Sequence, residues 1–332
     1  MTVASPSHTE QSVATPADPS VVTPVRGPDF QKITLNGSTL KTAQRIHAAL
    51  ILLLPLVGTV AAFALLPMTG FGLLELGLLV VMFLATMLGI SVGFHRLLAH
   101  GAFQAPTPVQ AMLLICGCMA AQGGPVYWVS NHRRHHHFSD KPGDPHSPFY
   151  DGMTPLEGLR GLWHSHIEWT LTHELTNSLF YCRDLIKDAR LNRLNRLYFV
   201  WVVLGLVLPA AIGGLYHGTW MGALSGFLWG GMVRLFLSFH ATSSINSITH
   251  RFGSRPFRTR EHSTNNAWLA LITVGESWHN NHHAFQTSAF FGLKWWQVDL
   301  GAWLVWSLQK LGLAKNVRRP TPEMIQAKLA EP

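Results

Sequence analysis

Between residues 46 and 68 almost every position is apolar, and the same holds from 71 to 94, where Glu75 is the single charge. Neither run carries the polar stripe of a helix lying on a soluble core, and helices apolar all round are buried or lipid-facing. Each is about 20 residues long, enough to cross the hydrocarbon layer as a helix. Thr69-Gly70 between them leaves room only for a tight turn. The pattern repeats at 197–215 and 219–239, around Tyr216-His217-Gly218. It predicts an all-α integral membrane protein with four transmembrane helices in two hairpins. The stretch 108–119 is apolar as well, but about a dozen residues cannot span, so it reads as an interfacial or re-entrant helix. Arg234, inside the fourth run, is expected to be a supporting residue that faces protein.

The remaining segments set the boundaries and the orientation. Residues 1–40 are rich in Ser, Thr, Pro and Val without helical period, and read as a disordered tail. No basic segment leads directly into an apolar core there, so no cleaved secretory signal is expected. A single membrane domain over 41–316 and a C-terminal tail, 317–332, complete the chain. Both hairpin tips lack Lys and Arg, whereas 95–196 holds ten of them, among them Arg96, Arg133, Arg134, Lys141 and Arg160, and Lys32, Lys41 and Arg45 precede the first run. By the positive-inside rule both termini and the long middle segment are cytoplasmic. Only 13% of residues are charged, against about 25% in soluble domains. The net charge of +8 could point to nucleic acid, but no arginine stripe with interleaved aromatics is present, so membrane orientation accounts for it. Cys116, Cys118 and Cys182 form no C-x-x-C pair.

Within this apolar chain lie nineteen histidines. His132, His135 and His136 stand at i, i+3 and i+4, which on a helix puts three rings on one face and makes half of a metal site. The spacing returns at His279, His282 and His283. His95 and His100, five apart, fall about 140° out of line on an α-helix, so they clasp something beside a helix end or span a bent terminus. The predicted topology brings all three groups to one side of the membrane as a helical cap. His137 points about 100° away from His136 and is not expected to share the metal. His8, His47, His217, His240 and His262 read as ordinary histidines. His146 beside Asp144, and His166, are candidates to stand behind the ligands and orient them. His250, four after Asn246, could be either on spacing alone. Eight or nine imidazoles exceed one metal's needs and fit two. Neutral nitrogen ligands without carboxylates suit a redox metal, so two Fe²⁺ ions are expected, with Zn²⁺ able to replace them on overexpression.

His95-x4-His100, His132-x2-His135-His136 and His279-x2-His282-His283 resemble the three histidine boxes of the membrane fatty-acid desaturases. Gly93-Phe94-His95-Arg96 and the run from Gly275 to His283 are similar to the stearoyl-type Δ9 branch. The resemblance covers roughly residues 40 to 310. It implies a di-iron centre that activates O2 and removes two hydrogens from adjacent methylenes of an acyl chain. It further implies that His250 is the ninth ligand, that Asn246 holds a metal-bound water, and that Gln122, Trp128 and Thr242 line the bend of the acyl tunnel. A cis double bond at carbon 9 of a saturated C16 or C18 chain follows.

Gly123, Ser130, Asn131 and Ser243 depart from the residues that grip CoA in the animal enzymes, so a lipid-linked chain is slightly preferred over acyl-CoA. Electrons should come from a separate acidic carrier, ferredoxin or cytochrome b5, on the cluster Arg133, Arg134, Lys141, Arg251, Arg255, Arg258 and Arg260. Membrane hydroxylases of the alkane or sterol type share such boxes and are the rival enzyme class. A histidine-rich metal transporter is the rival outside enzymology, but its ligands should lie within the spans near the midplane.

Overall fold

The computed structural model describes residues 28–330. Most of the expected tail, 1–27, lies outside these residues. Residues 28–40 do not continue it. Pro28–Ile33 is a short helix, Thr34–Leu35 pairs antiparallel with Leu175–Thr176, and the first long helix already begins at Ser38. At the other end Pro322–Lys328 is a helix, capped by the Thr321 side chain, which accepts from the Met324 amide.

Four helices are long and apolar enough to cross a membrane: Ser38–Ala64, Leu73–Ala99, Tyr198–His217 and Trp220–Ser247. Each reaches beyond the apolar run that predicts it. The first adds residues at its start, and the second and fourth add a turn or more at their ends, the second carrying His95 there and the fourth leading to His250 just beyond Ser247. The fourth is the central one, with 72% of its apolar window buried against 17% for the first and 22% for the third. The third and fourth pack side by side, so closely that a side chain on Gly213 would collide with the Gly222 carbonyl. The first two make little contact with each other: the first lies principally on the fourth, and the second lies on both the fourth and the helix Thr107–Cys118. Met232 sits against Gly58 of the first helix, and Leu78 of the second against Gly230. Phe63 and Phe71 both meet the Trp229 ring edge-on, at 5.3 and 4.4 Å. Small residues let backbones approach where hydrophobic driving force between helices is missing.

Two charged groups inside this bundle are well partnered. Arg234 is fully buried, and its guanidinium donates to the carbonyls of Met119 (2.5 Å), Gly205 (2.7 Å) and Gly230 (3.2 Å). At one end of the bundle Glu75 accepts from Gly72 N, Ser225 Oγ and His217 Nε2, tying the second, third and fourth helices together. The opposite ends, with His95 on the second helix, Tyr198 on the third and Thr242 on the fourth, meet the helices Thr107–Cys118 and Pro125–Phe138. Thr107–Cys118, the short apolar run, packs along the end of the second long helix.

Candidate metal centre

The last eleven residues of the second helix, Gly89–Ala99, are wound as a π-helix. That winding brings back into line what an α-helix would separate. The His100 amide donates to the His95 carbonyl, an i→i+5 bond of 3.2 Å, and the two rings stand 4.9 Å apart. Single π turns are rare and cluster at functional sites.

Nine histidines converge into two groups, the eight of the three boxes and His250. One comprises His95, His100, His132, His136 and His282, the other His135, His250, His279 and His283, with the offered nitrogens of each group all within 4.8 Å of one another. The H-x-x-H-H boxes do not each serve one group. The i and i+4 members His132 and His136 enter the first and His135 the second. In the third box His279 and His283 enter the second and His282 the first. Each box straddles the centre, and the groups adjoin, His136 and His283 lying 4.6 Å apart at ring centroids.

The nitrogens face one another as metal ligands do. His95 Nε2 and His136 Nε2 are each 3.0 Å from His282 Nε2, His100 Nε2 is 2.8 Å from His132 Nε2, and His279 Nε2 is 3.0 Å from both His250 Nε2 and His283 Nε2. With metal–nitrogen bonds of about 2.1 Å, ligands at right angles would be about 3.0 Å apart. Carboxylates turn several rings so that the lone pair points inward. His95 Nδ1 meets Glu276 Oε2 at 2.5 Å, His135 Nδ1 meets Asp144 Oδ2 at 2.9 Å, and His250 Nδ1 meets Asp140 Oδ2 at 2.8 Å. His283 Nδ1 lies 3.5 Å from Glu261 Oε1. With Nδ1 so engaged, His135 Nε2 is buried without a hydrogen-bond partner. A cation between the groups would satisfy it, so the residues fit a pair of metal ions.

Burial, then repulsion among neighbouring rings, pushes His100, His132, His136, His279, His282 and His283 well below the ordinary imidazole value. They are neutral at pH 7, the form that binds metal. Burial works against a charged His250, but Asp140 outweighs it and holds that ring above the ordinary value. Burial would raise the Asp144 carboxyl, yet His135 brings it below the usual carboxylate range.

Asp144 thus stands behind a ring. His146 donates its backbone N–H to Asp144 and stacks on His135 at 4.5 Å. His166 instead contacts Ser247 Oγ (2.9 Å) and His240 Nδ1 (3.0 Å). His137 turns outward to the Tyr181 hydroxyl. Asp140, Glu261 and Glu276 are the orienting residues that sequence reasoning missed. In a chain so poor in charge, carboxylates within a few residues of a histidine box were the available signal. Arg96 is fully buried between Glu276 and Asp299, and its guanidinium covers the Phe291 ring at 3.9 Å.

A cavity of about 380 Å³ leads to this centre. Gln122, Trp128, Thr242 and Asn246 line it beside His132 and His146; Leu40, Gln44, Ile51 and Phe199 line it farther out. Trp128 stacks on His132 at 5.0 Å and 18°. Gln122 Nε2 donates to Thr242 Oγ1 (3.2 Å) and to the Ser238 carbonyl (3.1 Å). Among the described residues no Lys, Arg, Asp or Glu lines it. His47, an ordinary histidine by sequence, is also in its wall, 3.0 Å from the Tyr198 hydroxyl. Of the basic cluster expected to receive a carrier, Lys141, Arg255, Arg258 and Arg260 are exposed, but Arg133 and Arg134 are engaged within the chain. Arg134 is buried and donates to the Gly143 and Glu174 carbonyls, while Arg133 is held bidentate by Asp184.

A helical protein with four candidate membrane helices and two adjoining histidine groups drawn from three boxes and His250 is the class defined here. The sequence profile of the family described as Fatty acid desaturase matches residues 73–313, and the chain belongs to that family of enzymes. It is 48% identical over 297 residues to the hex-5-enoyl-[acyl-carrier protein] acetylenase of Moorena producens, covering 89% of this chain and 92% of that protein. Identity is 40% over 262 residues to the sn-1 stearoyl-lipid 9-desaturase of Anabaena variabilis, 78% of this chain and 89% of that protein. With the icosanoyl-CoA 5-desaturase of Limnanthes douglasii it is 39% over 247 residues, 72% and 63% of the two chains.

Proposed function

We propose that this enzyme is an O2-dependent acyl desaturase that holds two iron ions in its two histidine groups and places a cis double bond at carbon 9 of a saturated C16 or C18 chain. The observation that carries the reading is the uncharged cavity running past Gln122, Trp128 and Thr242 to His132. The bound ions would supply the O2-derived oxidant; each turnover takes two electrons and two protons from outside, two hydrogens from the chain, and leaves two waters. The protein's own residues do the rest. Glu276, Asp144 and Asp140 fix ring orientation through Nδ1, and Trp128 walls the cavity against His132. The Gln122–Thr242 bond forms the bend that measures distance from the carboxyl end. Asn246, in the cavity wall four residues before His250, would hold a water on a bound ion. The apolar lining keeps bulk water from the reacting methylenes. The histidine end of the bundle faces the cytoplasm, as the loop charges require.

A lipid-linked chain is preferred over acyl-CoA because no cation lines the cavity to meet the phosphates of CoA. The groups replacing the CoA handle are engaged elsewhere: Asn131 Oδ1 accepts from Thr176 and its Nδ2 donates to the Tyr127 carbonyl, and Ser130 bonds Ser178. A second reading, an acyl chain on a carrier protein, is favoured by the 48% identity to the acetylenase. The test supplies iron-loaded enzyme, O2 and a reduced carrier with stearoyl phospholipid, stearoyl-CoA, stearoyl carrier protein or hexenoyl carrier protein. Gas chromatography of the released acids should find the 9-enoic acid from the phospholipid. Conversion of stearoyl-CoA alone overturns the lipid preference, conversion of a carrier-protein substrate alone establishes the second reading, and a hydroxylated product overturns desaturation.

A further inference from the structure

A second cleft, of about 280 Å³, reaches the metal centre by another route. Its wall includes His283, a member of the second histidine group, together with Phe285, Arg318, Arg319, Met324 and Lys328. The helix Pro322–Lys328 is folded back over the third box. Ile325 and Leu329 pack on Phe257 and Phe285, and Lys328 Nζ donates to the Ala284 carbonyl at 2.5 Å. The backbone of the same segment is bound at both ends, Arg318 N donating to the Ala102 carbonyl and Arg258 N to that of Lys328.

The two approaches differ in chemistry. Among the described residues, the acyl cavity has no charged residue in its wall, whereas the second cleft has three cations, all exposed, and no carboxylate. His283 is at the bottom, 8% exposed, one residue after His282 of the other group. Arg255, Arg258 and Arg260 are exposed as well, and the Arg258 backbone bonds Lys328 of this segment. A separate basic run, Arg190, Arg193 and Arg196, leads into the third long helix beside exposed Leu197 and Phe199, where lipid headgroups account for it.

We infer that the 318–328 segment and His283 form the docking site of an acidic one-electron carrier protein, with electrons passing to the centre through the His283 ring. This rests on the redox reading above. Two successive carrier molecules, each oxidised by one electron at this site, supply the two electrons that one double bond requires. Separating the routes lets a carrier exchange while an acyl chain stays in its cavity.

The experiment compares Arg318→Glu, Arg319→Glu and the double variant with the parent enzyme, using a plant-type [2Fe–2S] ferredoxin and the soluble haem domain of cytochrome b5 as probes. Carrier binding to the immobilised, metal-loaded protein is measured by surface plasmon resonance as well as by turnover. For at least one carrier the double variant should raise Kd and KM about tenfold or more at low salt, with the difference shrinking as salt rises. The kcat at saturating carrier, the KM for acyl substrate and single turnover driven by dithionite should stay as in the parent, as should everything in Arg190→Glu. Unchanged carrier Kd and KM for both probes overturn the docking site. So does a rise confined to the KM for acyl-CoA, or to binding of anionic vesicles. Absence of any desaturated product from the parent under dithionite refutes the redox reading instead, and the binding measurement still decides the dock.

Discussion

An imidazole carries one proton and, when neutral, one free lone pair, so a carboxylate on Nδ1 decides which way the other nitrogen looks. Four acidic residues stand behind four rings of this centre, and two of the boxes are split between the two groups by the difference between i+3 and i+4. The first group therefore draws on all three boxes, and the second on two of them and His250. His135→Ala and His282→Ala, though they belong to different groups, should both abolish turnover and lower bound iron, read by plasma mass spectrometry; His137→Ala should do neither. Retention of iron and activity by His282→Ala would show that the di-iron assignment is wrong. Asp140→Asn keeps the shape but removes the charge facing His250, and should weaken metal affinity about 10- to 100-fold, measured by chelator competition.

Among the elements, the π-wound end of the second long helix has the largest consequence, because it turns an awkward five-residue spacing into two ligands of one group. It is pinned from the far side by the helix Leu300–Lys310, where Gly301 lies against the Arg96 guanidinium and the Ser91 hydroxyl. A side chain at 301 displaces Arg96 from Glu276, and Glu276 is what orients His95. Gly301→Val should cost about 1–3 kcal/mol by overpacking, seen as a lower Tm. It should also release metal more readily than a substitution at the exposed Trp303 two residues on.

For the molecule as a whole, stability should depend on pH through histidines that the fold keeps neutral. Burial lowers His173 from 6.5 to about 3, and Gln44 and Tyr127 surround its ring. The unfolded chain takes up that proton first, so the contribution is intact above pH 6.5 and is lost as pH falls from there towards 3. The Tm of the metal-free protein should drop over that range, and His173→Gln should flatten the drop. A Tm slope identical in the two proteins would remove His173 from the account.

Four apolar runs and the two H-x-x-H-H boxes were legible in the sequence because they depend on local composition and on spacing along one helix, whereas Asn246 and His250 were singled out only by the resemblance to the desaturases. The membrane solvent demands long apolar helices, and a metal demands particular side chains. Tertiary structure alone decided that the fourth helix is central, that residues 28–40 are ordered, and that Arg134 is interior rather than a landing site. It also decided which ring joins which group, and that Asp140, Glu261 and Glu276 orient them. Those outcomes depend on contacts between segments far apart in the chain, such as Glu276 with His95 and Asp140 with His250, and no periodicity along the sequence encodes the partner of a buried charge.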